Sequence, residues 1–259
     1  MDARRARLNS IINLLKLRNG ATIRELSREL EVSEMTVRRD LSGLADDAMV
    51  TVIHGGVFLN PRRLVGGEES RYSLVHEESL HREAKMRIGQ AAAALVEPQD
   101  IIIIDAGSTT ECLAAALPAD LPLTILCYSL NSLMAVHRRR NCRLIFPGGY
   151  FHANTLMFES AEGLELIRRS RATKAFISAS GVNDRLGITC SNAYEVEAKR
   201  AAINSSLQKI LVTDSSKFGR IRSAYFADLG DFDMVITDKQ APSAYREAIA
   251  AAEVPLRTV

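Results

Sequence analysis

Two groups of residues have the types and spacing to do chemistry. The first is Ser33-Glu34-Met35-Thr36-Val37-Arg38-Arg39-Asp40-Leu41-Ser42-Gly43-Leu44. At about 100° per residue, Val37, Leu41 and Leu44 form one apolar helical stripe and Arg39 lies opposite it. Met35 and Ser42 lie close to Arg39, with Thr36 and Arg38 on the flanks. An arginine fork pairs with O6 and N7 of guanine, a threonine hydroxyl bonds a base edge or phosphate, and a methionine tip touches a thymine methyl. Ser33 is placed to cap the first turn. Taken alone, such a face suits a solvated surface helix equally well.

The second group is a set of short polar runs, each directly after a segment rich in Ile, Val or Leu. Asp105-Ala106-Gly107-Ser108-Thr109-Thr110 follows 101–104, and Cys127-Tyr128-Ser129-Leu130-Asn131 follows 123–126. Pro147-Gly148-Gly149, with Tyr150, Phe151 and His152 beyond, follows 143–146. Ser178-Ala179-Ser180-Gly181 follows 174–177, and Asp214-Ser215-Ser216-Lys217-Phe218-Gly219 follows 210–212. Small residues and hydroxyls at a helix start offer N–H groups and a favourable dipole end to an anion. Lys217 adds charge for a phosphate, and Asp, Asn and His suit sugar hydroxyls. The candidate effector residues are Asp105, Gly107, Ser108, Thr109, Thr110, Tyr128, Ser129, Asn131, Gly148, Gly149, His152, Ser178, Gly181, Glu195, Asp214 and Lys217. Glu195 stands four residues before Lys199, a spacing that most often makes only a surface salt bridge.

The elements that must position these residues fall into two parts. Residues 2–18 have a helical pattern with Leu8, Ile11, Ile12 and Leu15 on one face, stopped at Gly20. Thr22-Ile23-Arg24-Glu25 is a capping box for a short second helix with Leu26 and Leu30 inward. Leu30 to Ser33 then turn into the basic helix, and two helices with a tight turn, the second basic, make a helix-turn-helix. The 49–53 segment reads as a strand, His54-Gly55-Gly56 as a turn, and 57–59 as a returning strand, which together form a wing. His54 suits either a phosphate contact or a structural turn. The candidate DNA contacts are Ser33, Met35, Thr36, Arg38, Arg39, Ser42 and His54. The polar, Pro- and Gly-broken stretch after the wing is a linker.

Beyond it, a helix over 78–95 and strands at 101–104, 123–126, 143–146, 174–177, 210–212 and 234–236 alternate with helix-length segments. That grammar predicts an α/β domain on a largely parallel, doubly covered sheet. Ligands of such sheets bind past the carboxyl ends of the strands, where the polar runs lie. The expected domains are 1–59 for DNA, 60–75 as linker, and 76–259 for the effector.

Composition narrows the class. The 259 residues are 47% hydrophobic and 25% charged, as in ordinary globular chains. Residues 1–63 hold 11 Lys and Arg against 8 Asp and Glu, and the rest hold 22 against 23. The positive excess thus sits where a polyanion would bind. No apolar run approaches the ~18 residues of a membrane span, and the first residues carry no signal-peptide core. Cys112, Cys127, Cys142 and Cys190 are isolated, which suggests no metal site and fits the cytoplasm.

The N-terminal part resembles the winged helix-turn-helix of the DeoR family of bacterial transcriptional repressors. Val32-Ser33, Thr36-Val37-Arg38-Arg39-Asp40-Leu41 and His54-Gly55-Gly56 carry the resemblance. Ala48 stands where that family usually has Gly, and Val52 where it has a basic residue, which removes a phosphate contact from the wing. Asp105–Thr110, Pro147-Gly148-Gly149 and Asp214–Gly219 resemble the family's effector domain, which is similar in fold to ribose-5-phosphate isomerase and CoA-transferase domains. Cys127–Asn131, Phe151-His152-Ala153-Asn154, Gly187–Asn192, Leu95-Val96-Glu97-Pro98 and Ser216–Gly219 with Arg222 resemble members that respond to deoxyribose-5-phosphate. The resemblance implies a repressor of a sugar or deoxynucleoside catabolic operon, released by a phosphorylated sugar and using no further cofactor. One short helix reads too few base pairs for genomic specificity, so a homo-oligomer is expected. The alternatives are another pentose or hexose phosphate as effector, activation in place of repression, or an isomerase-like enzyme using Asp105, Asp214 and Lys217.

Overall fold

In the computed structural model the described residues are 7, 8, 10, 11, 14, 15, 21–46, 50–53, 56–59, 73, 74 and 80–259, with backbone alone for 43–46, 51–53, 56, 58 and 59. His54, the 60–72 stretch and the side chain of Leu44 lie outside the described residues. The chain divides into two compact units, Met1–Arg71 and Tyr72–Val259.

In the first unit, residues 7, 8, 10, 11, 14 and 15 are helical. β1 (Ala21–Thr22) leads into α1 (Ile23–Glu29), and α2 (Glu34–Asp46) is followed by β2 (Val50–Ile53) and β3 (Gly56–Leu59). Thr22 Oγ1 accepts from Glu25 N–H at 3.2 Å, and Glu25 Oε2 accepts from Thr22 N–H at 2.7 Å. This is the expected capping box, and such caps contribute about 1 kcal/mol. The tight turn runs through Glu31, whose φ is 52°. Ser27 Oγ closes that turn by donating to Val32 O at 2.6 Å. β2 and β3 pair antiparallel from Val50 opposite Leu59 to Ile53 opposite Gly56, and β1 adds to β3. Ile11, Leu15, Leu26, Val37, Leu41, Val50 and Val57 are among the residues that build the core of this unit.

The second unit begins with α3 (Arg82–Ala93), then β4 (Ile101–Ile104), α4 (Ser108–Ala116), β5 (Leu123–Cys127), α5 (Leu130–Val136) and β6 (Cys142–Ile145). A hairpin of β7 (Tyr150–His152) and β8 (Met157–Glu159) precedes α6 (Ala161–Arg169) and β9 (Ala172–Ser178). β10 (Gly181–Asn183), β11 (Gly187–Cys190), α7 (Glu195–Asn204), β12 (Ser206–Val212), β13 (Ala224–Ala227), β14 (Met234–Thr237), α8 (Ser243–Ala251) and β15 (Leu256–Thr258) complete it.

The main sheet has seven strands in the order β15-β14-β12-β9-β4-β5-β6, all parallel. Alternate residues feed two cores. Ile103, Leu126, Ile177, Leu211 and Val235 pack with Ile167, Ala202 and Ile249 of α6, α7 and α8. Ile102, Ile104, Ile125, Phe176 and Ile236 pack with Ile88, Leu113 and Val136 of α3, α4 and α5. Both faces are apolar, so these strands read as continuous hydrophobic runs.

The expected strands all occur, and the structure adds β1, β15, the antiparallel pair β7–β8 and the three-stranded antiparallel set β10-β11-β13. The helix expected over 78–95 starts at Arg82, because His81 before it is left-handed with φ 53°. The chain winds from β4 outward to β5 and β6, then places β9 on the other side of β4. That reversal falls between the ends of β4 and β9, the position where such sheets bind ligands.

Candidate functional site

The first unit offers a helix face. Ser33 Oγ accepts from Thr36 N–H at 3.2 Å, which fixes the start of α2 as expected. Val37 and Leu41 are buried, while Ser33, Met35, Arg38, Arg39 and Ser42 are exposed and Thr36 is half-buried. Met35, at 75% exposure, is a large apolar side chain left in water on a basic face. A contact that sequence reasoning missed steadies this helix. Asp40 is 2% exposed, and Arg7 Nε donates to its Oδ2 at 2.5 Å. Arg7 is one of three arginines among the first seven residues, and its spacing gives no sign of this partner.

The second unit gathers its polar groups at the sheet reversal. Asp105 ends β4 and is fully buried. Its Oδ1 accepts from the Tyr128 hydroxyl at 2.6 Å. Its Oδ2 accepts from Ser178 N–H at 2.8 Å and from Lys199 Nζ at 2.5 Å. Ser178 Oγ lies 2.9 Å from Asp105 Oδ2 and 2.7 Å from Ala106 O. The Asp105 carboxylate is therefore engaged within the protein. Thr110 Oγ1 caps its own turn, 2.7 Å from Asp105 O and 2.9 Å from Gly107 O. Gly107 has φ 170°, which any residue adopts, so the need for glycine is steric: a Cβ would lie 2.5 Å from Ser178 Oγ. Ser108 and Thr109 are buried at the start of α4.

Glu195 and Lys199 do not form a surface pair. They are 4% and 2% exposed, and lie 4.0 Å apart. Asn192 donates to Glu195 Oε1 through its N–H at 3.1 Å and Nδ2 at 2.8 Å. Burial pushes the Glu195 carboxyl up, against Lys199 and Asn192, which favour its charge. Burial works against the Lys199 ammonium, yet Asp105 and Glu195 hold its pKa above the usual lysine value. Burial and then Asp105 push the Tyr128 hydroxyl far up, so it stays a donor. A signal for this cluster was present: Glu195, Lys199 and Ala202 share the helix stripe that includes Ala198.

The remaining candidates are spread along the same edge. Asn131 Nδ2 donates to Glu111 Oε2 at 3.0 Å and weakly to Gly107 O at 3.4 Å. Asp214 caps a short turn by accepting from Ser216 N–H at 3.0 Å, and Lys217 lies buried in that turn. Among the described residues, Ser129 Oγ, Asn131 Oδ1, Ser132 Oγ and Asp214 Oδ2 are buried with no hydrogen-bond partner. Gly148 and Gly149 have φ 69° and 122°, and Glu159 O leaves no room for a Cβ on Gly149. His152 stands apart in the β7–β8 hairpin, 2.7 Å from Glu159 Oε2 and stacked on Tyr194 at 3.6 Å. Gly181 starts β10, where a Cβ would lie 2.5 Å from Arg220 O.

Pockets lie near two of the strand ends. One of about 320 Å³ lies between α3 and α4 and reaches Ser108 and Glu111. One of about 270 Å³ is lined by Tyr128, Pro147, Met157, Ile167 and Tyr194 among others. Ser178, Asp214 and Lys217 line neither. Burial pushes the Cys127 and Cys190 thiols up to about 12, while Cys112 and Cys142 are half-exposed. Among the described residues no cluster of His, Cys, Asp or Glu could hold a metal ion, and no helix is long and apolar enough to cross a membrane.

A helix-turn-helix unit followed by a parallel α/β unit with polar loops at its strand ends is the layout of a ligand-sensing transcriptional regulator. The comparisons with known proteins agree. Residues 7–63 match the DeoR-like helix-turn-helix domain and residues 80–239 match the DeoR C terminal sensor domain, so the chain belongs to the DeoR family. It is 35% identical over 239 residues to the deoxyribose operon repressor of Escherichia coli (strain K12), covering 92% of each chain. It is 32% identical to the HTH-type transcriptional regulator GolR of Listeria innocua serovar 6a, covering 97% of each. It is 29% identical to the lactose phosphotransferase system repressor of Lactococcus lactis subsp. lactis, covering 92% of each. Among solved structures, a ribose 5-phosphate isomerase A from Methanocaldococcus jannaschii superposes with a TM-score of 0.39 at 14% identity, over 53% of this chain and 54% of that one.

Proposed function

We propose that the chain is a repressor of a sugar or deoxynucleoside catabolic operon, released from its operator by a phosphorylated sugar, with deoxyribose-5-phosphate as the effector. Residues 1–59 bind DNA through Ser33, Met35, Thr36, Arg38, Arg39, Ser42 and His54, residues 60–75 connect, and residues 76–259 sense the effector. The observation that carries the sensing role is the row of buried polar atoms without partners at the strand ends. Ser129 Oγ, Asn131 Oδ1 and Asp214 Oδ2 are buried with no hydrogen-bond partner among the described residues. An unpaired buried polar group costs about 1–3 kcal/mol, which a ligand's hydroxyls remove on binding. The adjoining start of α4 and the Lys217 ammonium suit a phosphate. The repressors named above, at 29–35% identity, support the regulatory role.

Release requires that the effector favour one arrangement of the linked DNA units, since only differential affinity shifts an equilibrium. The test is a gel shift on DNA upstream of neighbouring sugar-catabolic genes, with and without deoxyribose-5-phosphate. A retarded band that the sugar phosphate abolishes is the expected result; no retardation at moderate salt sinks the proposal. A second reading, another pentose or hexose phosphate, is favoured by the lactose phosphotransferase repressor among the relatives. A thermal-shift panel of sugar phosphates separates the two. An enzymatic reading that uses Asp105, Asp214 and Lys217 has less support, because a basic recognition helix has no role in such chemistry and the Asp105 carboxylate is engaged by Tyr128, Ser178 and Lys199. Turnover of ribose-5-phosphate by the purified chain would revive it.

A further inference from the structure

Lys199 has no part in the reading above, yet it is 2% exposed at the sheet reversal. Taking an ammonium and a carboxylate out of water costs several kcal/mol each, and apolar residues of equal volume often replace such pairs without loss of stability. Stability alone is thus a poor reason for a buried lysine here.

Its contacts suggest another. The ladder between β4 and β9 ends where Ile104 lies beside Phe176, with one more bond from Asp105 N–H to Phe176 O at 3.1 Å. Beyond that point the two chains part. One turns through Gly107 into α4, and the other runs from Ser178 toward β10. Lys199 reaches across from α7 to both. Its Nζ donates to Asp105 Oδ2 at 2.5 Å and to Ser178 O at 3.1 Å. Ser178 in turn bears on the turn, with its Oγ 2.7 Å from Ala106 O and in a position that excludes a Cβ on Gly107. Glu195 Oε2 at 4.0 Å and the Phe226 ring at 5.2 Å complete the surroundings of the ammonium.

We infer that Lys199 is a positioning residue for the effector site: it holds the ends of β4 and β9 at the spacing at which the Gly107 turn presents its N–H groups to the ligand's phosphate. This rests on the sugar-phosphate reading above. A role in stability alone would also make Lys199 sensitive to substitution, so the test must separate affinity from stability.

The full-length chain is compared with Lys199→Met, Asp105→Asn and the double variant, by thermal melting and by calorimetric titration with deoxyribose-5-phosphate. Lys199→Met leaves Asp105 buried without its cation, and it is expected to lose both Tm and affinity. The double variant removes the Asp105–Lys199 pair and leaves Glu195 as the one buried charge, so Tm is expected to recover in part while affinity stays at least about tenfold below wild type. Asp105→Asn keeps the Lys199 grip on Ser178 O and is expected to lose less affinity than Lys199→Met. Should the double variant regain affinity together with Tm, or Asp105→Asn lose as much as the double, Lys199 does not position the site. If Lys199→Met fails to fold, the double variant decides. A wild-type chain that binds no sugar phosphate overturns the functional reading itself, and this inference with it.

Discussion

Arg38 and Arg39 are exposed on a helix whose opposite face is locked into its own core, and neither makes an ion pair with a described residue. Arg39→Ala is therefore expected to abolish operator binding while leaving the sugar-phosphate thermal shift intact; loss of both would make the residue structural. If Arg38 contacts a phosphate, Arg38→Ala lowers the slope of log K against log salt by about 1. Charges buried in the second unit respond to acid. The Asp100 carboxyl feels burial, which raises its pKa. Lys174 Nζ at 2.6 Å, together with hydrogen bonds from Glu97 N–H and Thr173, outweighs that and holds it below the usual value. A depressed acid stabilises the fold above the unfolded value near 4 and loses that contribution as pH falls through the folded value. Asp100→Asn is expected to flatten the acid limb of Tm between about pH 5 and 3, which melting curves across that range will check. At this scale, exposure was legible from helical spacing, but partners were not. Nothing in the local pattern joins Arg7 to Asp40 or Lys199 to Asp105, because those pairs are made by tertiary packing.

The strands were legible where they are long runs of Ile, Val and Leu buried on both faces. β15 was not, since Leu256-Arg257-Thr258 offers one apolar residue and owes its extended form to pairing with β14. The β7–β8 and β10-β11-β13 strands were likewise hidden, being three or four residues each and set by antiparallel pairing, local for β7–β8 and β10–β11 and long-range for β11–β13. The loops of the candidate site were legible from their position after strands, while the reversal between β4 and β9 emerges only from strand order. Two substitutions probe these elements. Ile103 is fully buried in the central strand, so Ile103→Ala is expected to lower stability by about 2–5 kcal/mol in urea denaturation. Gly107→Ala forces a methyl onto Ser178, and overpacking of this kind costs about 1–3 kcal/mol. It is also expected to weaken sugar-phosphate binding in the thermal-shift assay, because the displaced turn carries the N–H groups.

Across the molecule, reading and sensing fall to separate compact units with separate cores. Variants of one are expected to spare the other's binding while breaking release, the step that needs both. A homo-oligomer is expected in solution, measured by sedimentation, with operator half-sites about 10 base pairs apart or a multiple of that. The thiols carry a last consequence for the sensing unit. Cys127 and Cys190 are fully buried, and burial pushes their thiols up to about 12, so the thiolate is strongly disfavoured at neutral pH. Peroxide and alkylating agents therefore find almost no nucleophile on those two strands. A maleimide dye is expected to settle on Cys112 or Cys142 instead, which mass spectrometry of the labelled chain will check.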